Sequence, residues 1–311
     1  MANRTWLAPA VYVTLQRNGN LAQIPCPVRE YLTFIHHRNH ERNSRLQAQL
    51  IEAIAALNER SIVPILLKGA VKIFNADGAS LGSRMLSDLD ICISPLEKFE
   101  TKDVLMSLGY RDLGNGREFG RDQDVGAIEL HDRPNARSRK YLSHDLSASS
   151  STVEVSGALA KIPTQTARAI HLIVHDMIKD GDYWSLRMDL RHLLDLVELV
   201  NSPDGIDWEQ VQQVMSDKTA RNALVVQAKA LEDLFGVEIP HALRAGVAAS
   251  LVHVGRLFAA SPGRTGSVTR LIGNISRGLN RIGDGFAGSV GGSFPQKVYR
   301  RITSVGKGPR L

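Results

Sequence analysis

Ile62-Val63-Pro64-Ile65-Leu66-Leu67-Lys68-Gly69-Ala70 and Ser87-Asp88-Leu89-Asp90-Ile91-Cys92-Ile93-Ser94 decide the fold, with Asp88 nineteen residues beyond Gly69. An apolar strand runs into a Lys-Gly turn, and a second strand then opens with two acids separated by Leu89. Side chains alternate faces along a strand. Asp88 and Asp90 therefore share one face, while Leu89 and Ile91 turn toward a core. Neighbouring carboxylates repel each other unless positive charge lies between them. Hard divalent cations such as Mg²⁺ answer that need, above all where substrate phosphates complete the coordination.

The polarity of the strand narrows the chemistry. Phosphatases of the haloacid dehalogenase type and many glycosyltransferases carry their acids after an apolar run. Here the apolar run Ile91-Cys92-Ile93 follows the acids, and the loop-like Gly82-Ser83-Arg84-Met85-Leu86-Ser87 precedes them. Acids at a strand's start, after a strand, a glycine turn and a helix, resemble the arrangement of polymerase-β-like nucleotidyltransferases. That scheme needs a third carboxylate on a neighbouring strand. Val125-Gly126-Ala127-Ile128-Glu129-Leu130-His131 supplies Glu129, which shares a face with His131. The Gly69 turn would let backbone N–H groups and a helix N-terminus approach phosphate oxygens. Lys68 and Arg84 are counter-charges for the same oxygens.

The chain resembles the "uncharacterised nucleotidyltransferase" family of that superfamily over about residues 30 to 200. The likeness begins in the helix from Arg42 to Asn58 and passes through Ile62–Ala70, Arg84–Asp90, Leu108-Gly109-Tyr110 and Ile128–His131. It ends in Asp180-Gly181-Asp182-Tyr183-Trp184 and Leu190–Leu196. It implies that Asp88, Asp90 and Glu129 are the catalytic metal ligands, holding two Mg²⁺ ions. Lys68, Gly69, Arg84 and Ser87 would line the nucleotide site. The implied reaction moves an NMP group from an NTP, ATP in the first instance, to an unknown acceptor and releases pyrophosphate. Small molecules, peptides, proteins and RNA all stay open as acceptors. Between Tyr110 and Glu129 the chain departs from the family's longer form, having the short charged segment Arg111 to Asp124. Its Lys-Gly and Asp-x-Asp segments are also similar to nucleotidyltransferase toxins of the abortive-infection type, some of which modify tRNA ends. An RNA-modifying toxin and a catalytically silent nucleotide-binding protein are therefore the alternatives.

Composition sets outer bounds. The 311 residues are 43% hydrophobic, enough for a sizeable core in one large domain or two smaller ones. Two cysteines, Cys26 and Cys92, do not make a disulfide framework. No apolar run approaches the ~20 residues of a membrane span, and Leu7 to Val13 is too short and proline-broken for a secretory signal. The expected location is the cytoplasm. The net charge of +6 resides in the tail: residues 261 to 311 hold nine Lys or Arg against one acid, Asp284.

Four regions follow from the patterning. Residues 1–27 read as an irregular lead-in, and 28–160 as a mixed α/β catalytic core with a small mixed sheet and a long N-terminal helix. Residues 161–260 read as a helical domain, and 261–311 as a basic, Gly-rich tail. Leu46, Leu50, Ile54 and Leu57 mark the buried stripe of the long helix. A helix from Val71 ends at Asp77-Gly78, Leu96 to Leu108 forms another, and Gly109 closes it. Residues 133–157 read as a loop with one strand at Thr152 to Val155. Helices are then expected at Gln165–Lys179, Trp184–Val200, Trp208–Ser216, Thr219–Phe235 and Pro240–Ala260. In the tail, Val268, Leu271, Ile275, Leu279 and Ile282 fall on one helical stripe. A basic amphipathic helix there would meet an anionic partner; the competing reading is a solvated tail.

Other constellations have plainer explanations. His171 and His175 lie one helical turn apart, but Leu172 stands where a zinc protease needs Glu. Their expected role is packing or hydrogen bonding. A metal phosphohydrolase uses one His-Asp pair on a helix with other ligands, and of His131-Asp132, His144-Asp145 and His175-Asp176 only the last is clearly helical. Arg191 and Asp195, four apart, are expected to pair on a helix, and Asp180 and Asp182 to cap it.

Overall fold

Two hydrophobic cores organise the molecule, one around a β-sheet and one among C-terminal helices. The computed structural model describes residues 6–114, 116–142 and 146–260. The basic tail with its amphipathic stripe, and His144-Asp145, lie outside the described residues. In chain order the first half comprises α1 (Ala8–Arg17), α2 (Cys26–Asn58), β1 (Ile65–Leu66), α3 (Lys68–Phe74), α4 (Gly78–Leu81), β2 (Asp88–Cys92), α5 (Lys98–Ser107), β3 (Arg111–Asp112), β4 (Glu118–Gly120) and β5 (Ala127–His131). The hairpin β6 (Ser150–Val155) and β7 (Ala158–Pro163) follows. Then come α6 (Gln165–Ile173), a π-helical turn Val174–Lys179, α7 (Asp182–Ser185), α8 (Leu190–Val200), α9 (Trp208–Val214), α10 (Lys218–Phe235) and α11 (Val247–Ala260). Among the described residues no helix is long and apolar enough to cross a membrane.

The expected α/β class holds, with a seven-stranded mixed sheet in the order β3-β4-β5-β2-β1-β7-β6. At its centre β2 lies parallel to β5 and antiparallel to β1. Leu46, Leu50, Ile54 and Leu57 of α2 are fully buried against this sheet, the stripe the sequence marks.

The polar face of α2 has a second role. The loop between α4 and β2 has no strand partner for its carbonyls, and buried carbonyls need donors. Asn39 Nδ2 donates to the carbonyls of Gly82 and Arg84 (2.8 and 3.0 Å). Asn43 Nδ2 donates to those of Leu81 and Arg84 (both 2.7 Å). Arg42 donates to Leu86 and Val125, and Gln49 to Gly126. One helix thus fixes the approach to β2 and to β5 together.

Several expectations are corrected. The lead-in is not irregular: Pro9 starts α1, which packs on α2. Asp77 does not end a helix but opens α4 through a capping box with Ser80. The 133–157 loop gives way to β6 at Ser150, and β7 joins it to β1, where the short Ala158–Pro163, with two alanines and a closing proline, shows no strand signature of its own. The helix expected over Trp184–Val200 breaks, because Leu186 takes a left-handed backbone (φ 58°) to bury its side chain and α8 restarts under the Asp189 cap. Thr164 caps α6 as anticipated, its hydroxyl accepting from the Ala167 N–H, and Gly109 (φ 86°) follows α5 in the left-handed region.

Candidate active site

β2 and β5 build the floor. Asp88 is the first residue of β2, and Leu89 and Ile91 are fully buried beneath it. The parallel register sets Asp90 beside Glu129 and Cys92 beside His131. Asp90 is itself buried, and two groups converge on its Oδ1: Lys68 Nζ at 2.7 Å and His131 Nε2 at 2.8 Å. His131 Nε2 is also 3.8 Å from Glu129 Oε1. Burial pushes the Asp90 carboxyl up, but the His131 hydrogen bond and the Lys68 charge outweigh it and hold it below the usual carboxylate range. Burial likewise opposes the Lys68 ammonium, and Asp90 more than restores it. Lys68, the first residue of α3 and two beyond the end of β1, reaches the acid from a left-handed backbone (φ 47°), the strained turn through which the chain swings into the helix.

Three other expected residues surround this pair. Ser87 Oγ donates to Asp88 Oδ1 at 2.8 Å. A Cβ on Gly69 would lie 2.5 Å from Leu86 Cδ2, so the glycine admits the packing of the loop before β2. Arg84 is buried and already paired. Its Nε donates to both oxygens of Asp195 (2.9 and 2.8 Å) and its Nη2 lies 2.7 Å from Oδ2. Burial weighs against this guanidinium, and Asp195 outweighs it. The expected Arg191–Asp195 pair is therefore absent: Arg84 takes Asp195, and Arg191 turns to Asp189 (2.7 Å). A buried guanidinium demands a carboxylate more strongly than a helix-surface one does.

Above the floor lies a cleft of about 430 Å³. Lys68, Gly69, Arg84, Ser87, Asp88 and Asp90 line one side, so six of the seven expected residues come together. Glu129 borders an adjoining cavity of about 100 Å³ with His131 and Arg117. His175 borders both spaces. The opposite wall comes from the π-helical turn, α7 and the start of α8, and sequence reasoning missed its centre. His192 Nδ1 lies 2.7 Å and His175 Nδ1 3.2 Å from the same oxygen, Oδ1 of buried Asp176. Neither Asp180 nor Asp182 caps the helix as expected: the N-cap of α7 is Gly181 with no side-chain cap, and α8 is capped by Asp189. Asp182 is instead buried and pairs with Arg187 at 2.7 Å. The sequence showed this wall as separate motifs, His175-Asp176, Asp180–Trp184 and Leu190–Leu196, but not their union: His192 is sixteen residues from Asp176 and meets it only because the chain doubles back.

Two groups among the described residues bring three potential ligand atoms within 4.8 Å of one another: Asp90, Glu129 and His131, and His175, Asp176 and His192. Asp88 stands outside the first group and lines the cleft together with Asp90. Carboxylate oxygens from Asp88, Asp90 and Glu129 suit a hard cation, and both protein contacts to Asp90 fall on Oδ1, leaving Oδ2 without a hydrogen bond among the described residues.

A search of curated proteins finds no match. Among solved structures the chain resembles the solution structure of the antibiotic-resistance factor ANT(2″)-Ia, at 13% identity and a TM-score of 0.37, over 55% of this chain and 90% of that one. The family model described as "uncharacterised nucleotidyltransferase" matches residues 1–236, which span the whole floor and far wall of the cleft. The chain belongs to this uncharacterised nucleotidyltransferase family and is a transferase that moves a nucleoside monophosphate group from a nucleotide substrate.

Proposed function

We propose that the protein transfers NMP from an NTP, ATP in the first instance, to an acceptor bound against the helical wall, in a reaction that depends on divalent cations. The observation that carries this reading is the β2–β5 register, which sets Asp90 beside Glu129, with Asp88 and Asp90 both lining a 430 Å³ cleft. Asp88, Asp90 and Glu129 would hold Mg²⁺, two ions on the family pattern. Bound there, the cations supply neutralisation of phosphate charge and stabilisation of the attacking and leaving oxygens. The chain's own residues do the rest. Lys68, 2.7 Å from Asp90, offers a positive charge to the phosphates from the cleft floor. Gly69 and Ser87 border the nucleotide. Arg84, fixed on Asp195, braces the loop that delivers Ser87 and Asp88, and so positions the site.

Incubation of the native protein with each α-³²P-labelled NTP, Mg²⁺ and cell extract tests the reading. Label is expected in one acceptor fraction, with pyrophosphate released, and is expected to vanish with Asp88→Ala/Asp90→Ala and with chelator. Equal transfer by the double variant, or none by the native protein, would overturn it. Label in RNA would select the toxin-like alternative, and nucleotide binding without pyrophosphate release the silent-binder alternative.

A further inference from the structure

We infer that His192, oriented by Asp176, is the general base that takes the proton from the acceptor's nucleophile. This rests on the nucleotidyl-transfer reading and completes it on the acceptor side.

The tautomers follow from the contacts. A lysine ammonium only donates, and Lys179 Nζ lies 2.9 Å from His175 Nε2. That nitrogen is therefore the acceptor, and His175 Nδ1 carries the proton it directs at Asp176. An ionised carboxylate only accepts, so His192 Nδ1, 2.7 Å from Asp176 Oδ1, carries a proton as well. In a neutral imidazole the lone pair then belongs to Nε2. No hydrogen bond engages His192 Nε2 among the described residues, and the ring borders the cleft. The same tautomer logic weakens a metal reading of this trio: binding at His175 Nδ1 would place an Nε2 proton against the Lys179 ammonium.

Asp176 is built for one task. It is 3% exposed, and one of its oxygens serves only the two imidazoles. Its Oδ2 is buried without a partner, so all of its hydrogen bonding is directed through Oδ1 to the imidazoles. The carboxylate sits on a π-helical turn, an irregularity that widens a helix and recurs at functional sites. Asp189, which caps α8 and accepts from the His192 N–H, sets the height of the ring.

The step balances simply. The acceptor O–H or N–H gives its proton to His192 Nε2, its lone pair forms a bond to the α-phosphorus, and the bond from that phosphorus to the bridging oxygen breaks. Pyrophosphate leaves with the electron pair. Asp176 holds the resulting imidazolium until it loses the proton to solvent. Three neighbours set the ring's titration: Asp176 and Asp189 raise it, Arg84 across the cleft lowers it, and burial opposes all charge. The balance lies above the ordinary 6.5, so activity should climb with pH through a midpoint above that value. His175 faces the ring edge-on and shares the carboxylate.

The test uses the full chain and the acceptor fraction defined by label transfer from α-³²P-ATP. His192→Gln is expected to lower the transfer rate about 100-fold or more, in the range of lost general-base catalysis, with fluorescent-ATP affinity unchanged. It should flatten the acid limb of the pH profile and be partly rescued by added imidazole. Asp176→Asn should act likewise, since a neutral amide cannot stabilise the imidazolium as the carboxylate does. Transfer by His192→Gln within threefold of native, with the same acid limb, would overturn the inference and leave the nucleotidyl-transfer reading standing. No transfer by the native protein would sink that reading itself. Histidine ¹⁵N spectra of the native chain, assigned by difference with His192→Gln, need no acceptor: neutral His192 is expected with its proton on Nδ1, and a proton on Nε2 would overturn the inference on its own.

Discussion

At the scale of single residues, burial turns two ordinary-looking side chains into strict requirements. Arg84 and Asp195 form a pair whose side chains are only 8% and 11% exposed. Asp195→Ala leaves the guanidinium uncompensated, and an expected cost of about 3–5 kcal/mol should appear as a lower urea midpoint with an unchanged slope. Arg84→Lys is expected to cost much of the same, because a lysine cannot reproduce the two-pronged contact. Gly69 is demanding for another reason. The 2.5 Å approach of its absent Cβ to Leu86 Cδ2 predicts a loss of about 1–3 kcal/mol for Gly69→Ala. Leu86→Ala in the same chain should remove part of that loss, and a strictly additive double mutant would show that the two are uncoupled. The identity of Gly69 was legible in the sequence, but the expected reason was phosphate approach. The packing reason depends on a residue seventeen positions away.

Among the elements, α2 does most to position chemistry that it does not itself perform. Its apolar stripe was readable from period alone. Its polar side was not, because Asn39, Asn43 and Gln49 look like a solvated face until the loop carbonyls they serve are known. Asn43→Leu leaves the Leu81 carbonyl without its donor, while Arg84 keeps its bond from Asn39; the expected cost is about 1–3 kcal/mol for the buried group left unmatched. Amide exchange at residues 81–88 should quicken well beyond exchange in β5, and transfer activity should fall with it; uniform quickening across the sheet would contradict this local role. The break between α7 and α8 is the complementary case. Helical periodicity runs through Trp184 to Val200, and the left-handed Leu186 appears only because its side chain is needed in the second core.

For the whole molecule, acid stability is where the separate ion pairs add together. Asp90 and Asp176 are held below the ordinary carboxylate range, by His131 and Lys68 and by the two histidines, against the opposing effect of burial. Asp217 is lowered to about 2: burial opposes this, and Lys140 and Tyr141 outweigh it. A carboxylate with a depressed folded-state value contributes stability above its unfolded value of 3.8 and loses it as pH falls through the folded one. The melting temperature should therefore hold from pH 7 to about 5 and drop steeply from about 4 toward 2. Asp217→Ala should begin from a lower plateau and show a shallower fall. A native profile flat down to pH 2 would contradict these assignments. Asp217 also ties the 140–141 segment to the N-terminus of α10, so its loss should loosen that segment first.

The sequence by itself determined the strands that carry the acids, the face on which Asp88 and Asp90 lie, and the family. Each of these rests on local information: alternation along a strand, a glycine turn, and an ordered set of short motifs. Only the tertiary structure decided that Arg84 belongs to Asp195, that Glu129 opens on the neighbouring cavity while Asp90 faces the cleft, and that Asp176 gathers His175 and His192 on the opposite wall. Those pairings join segments that share no periodicity. Burial selects them, since a charge withdrawn from water accepts whichever partner the packed chain brings within reach.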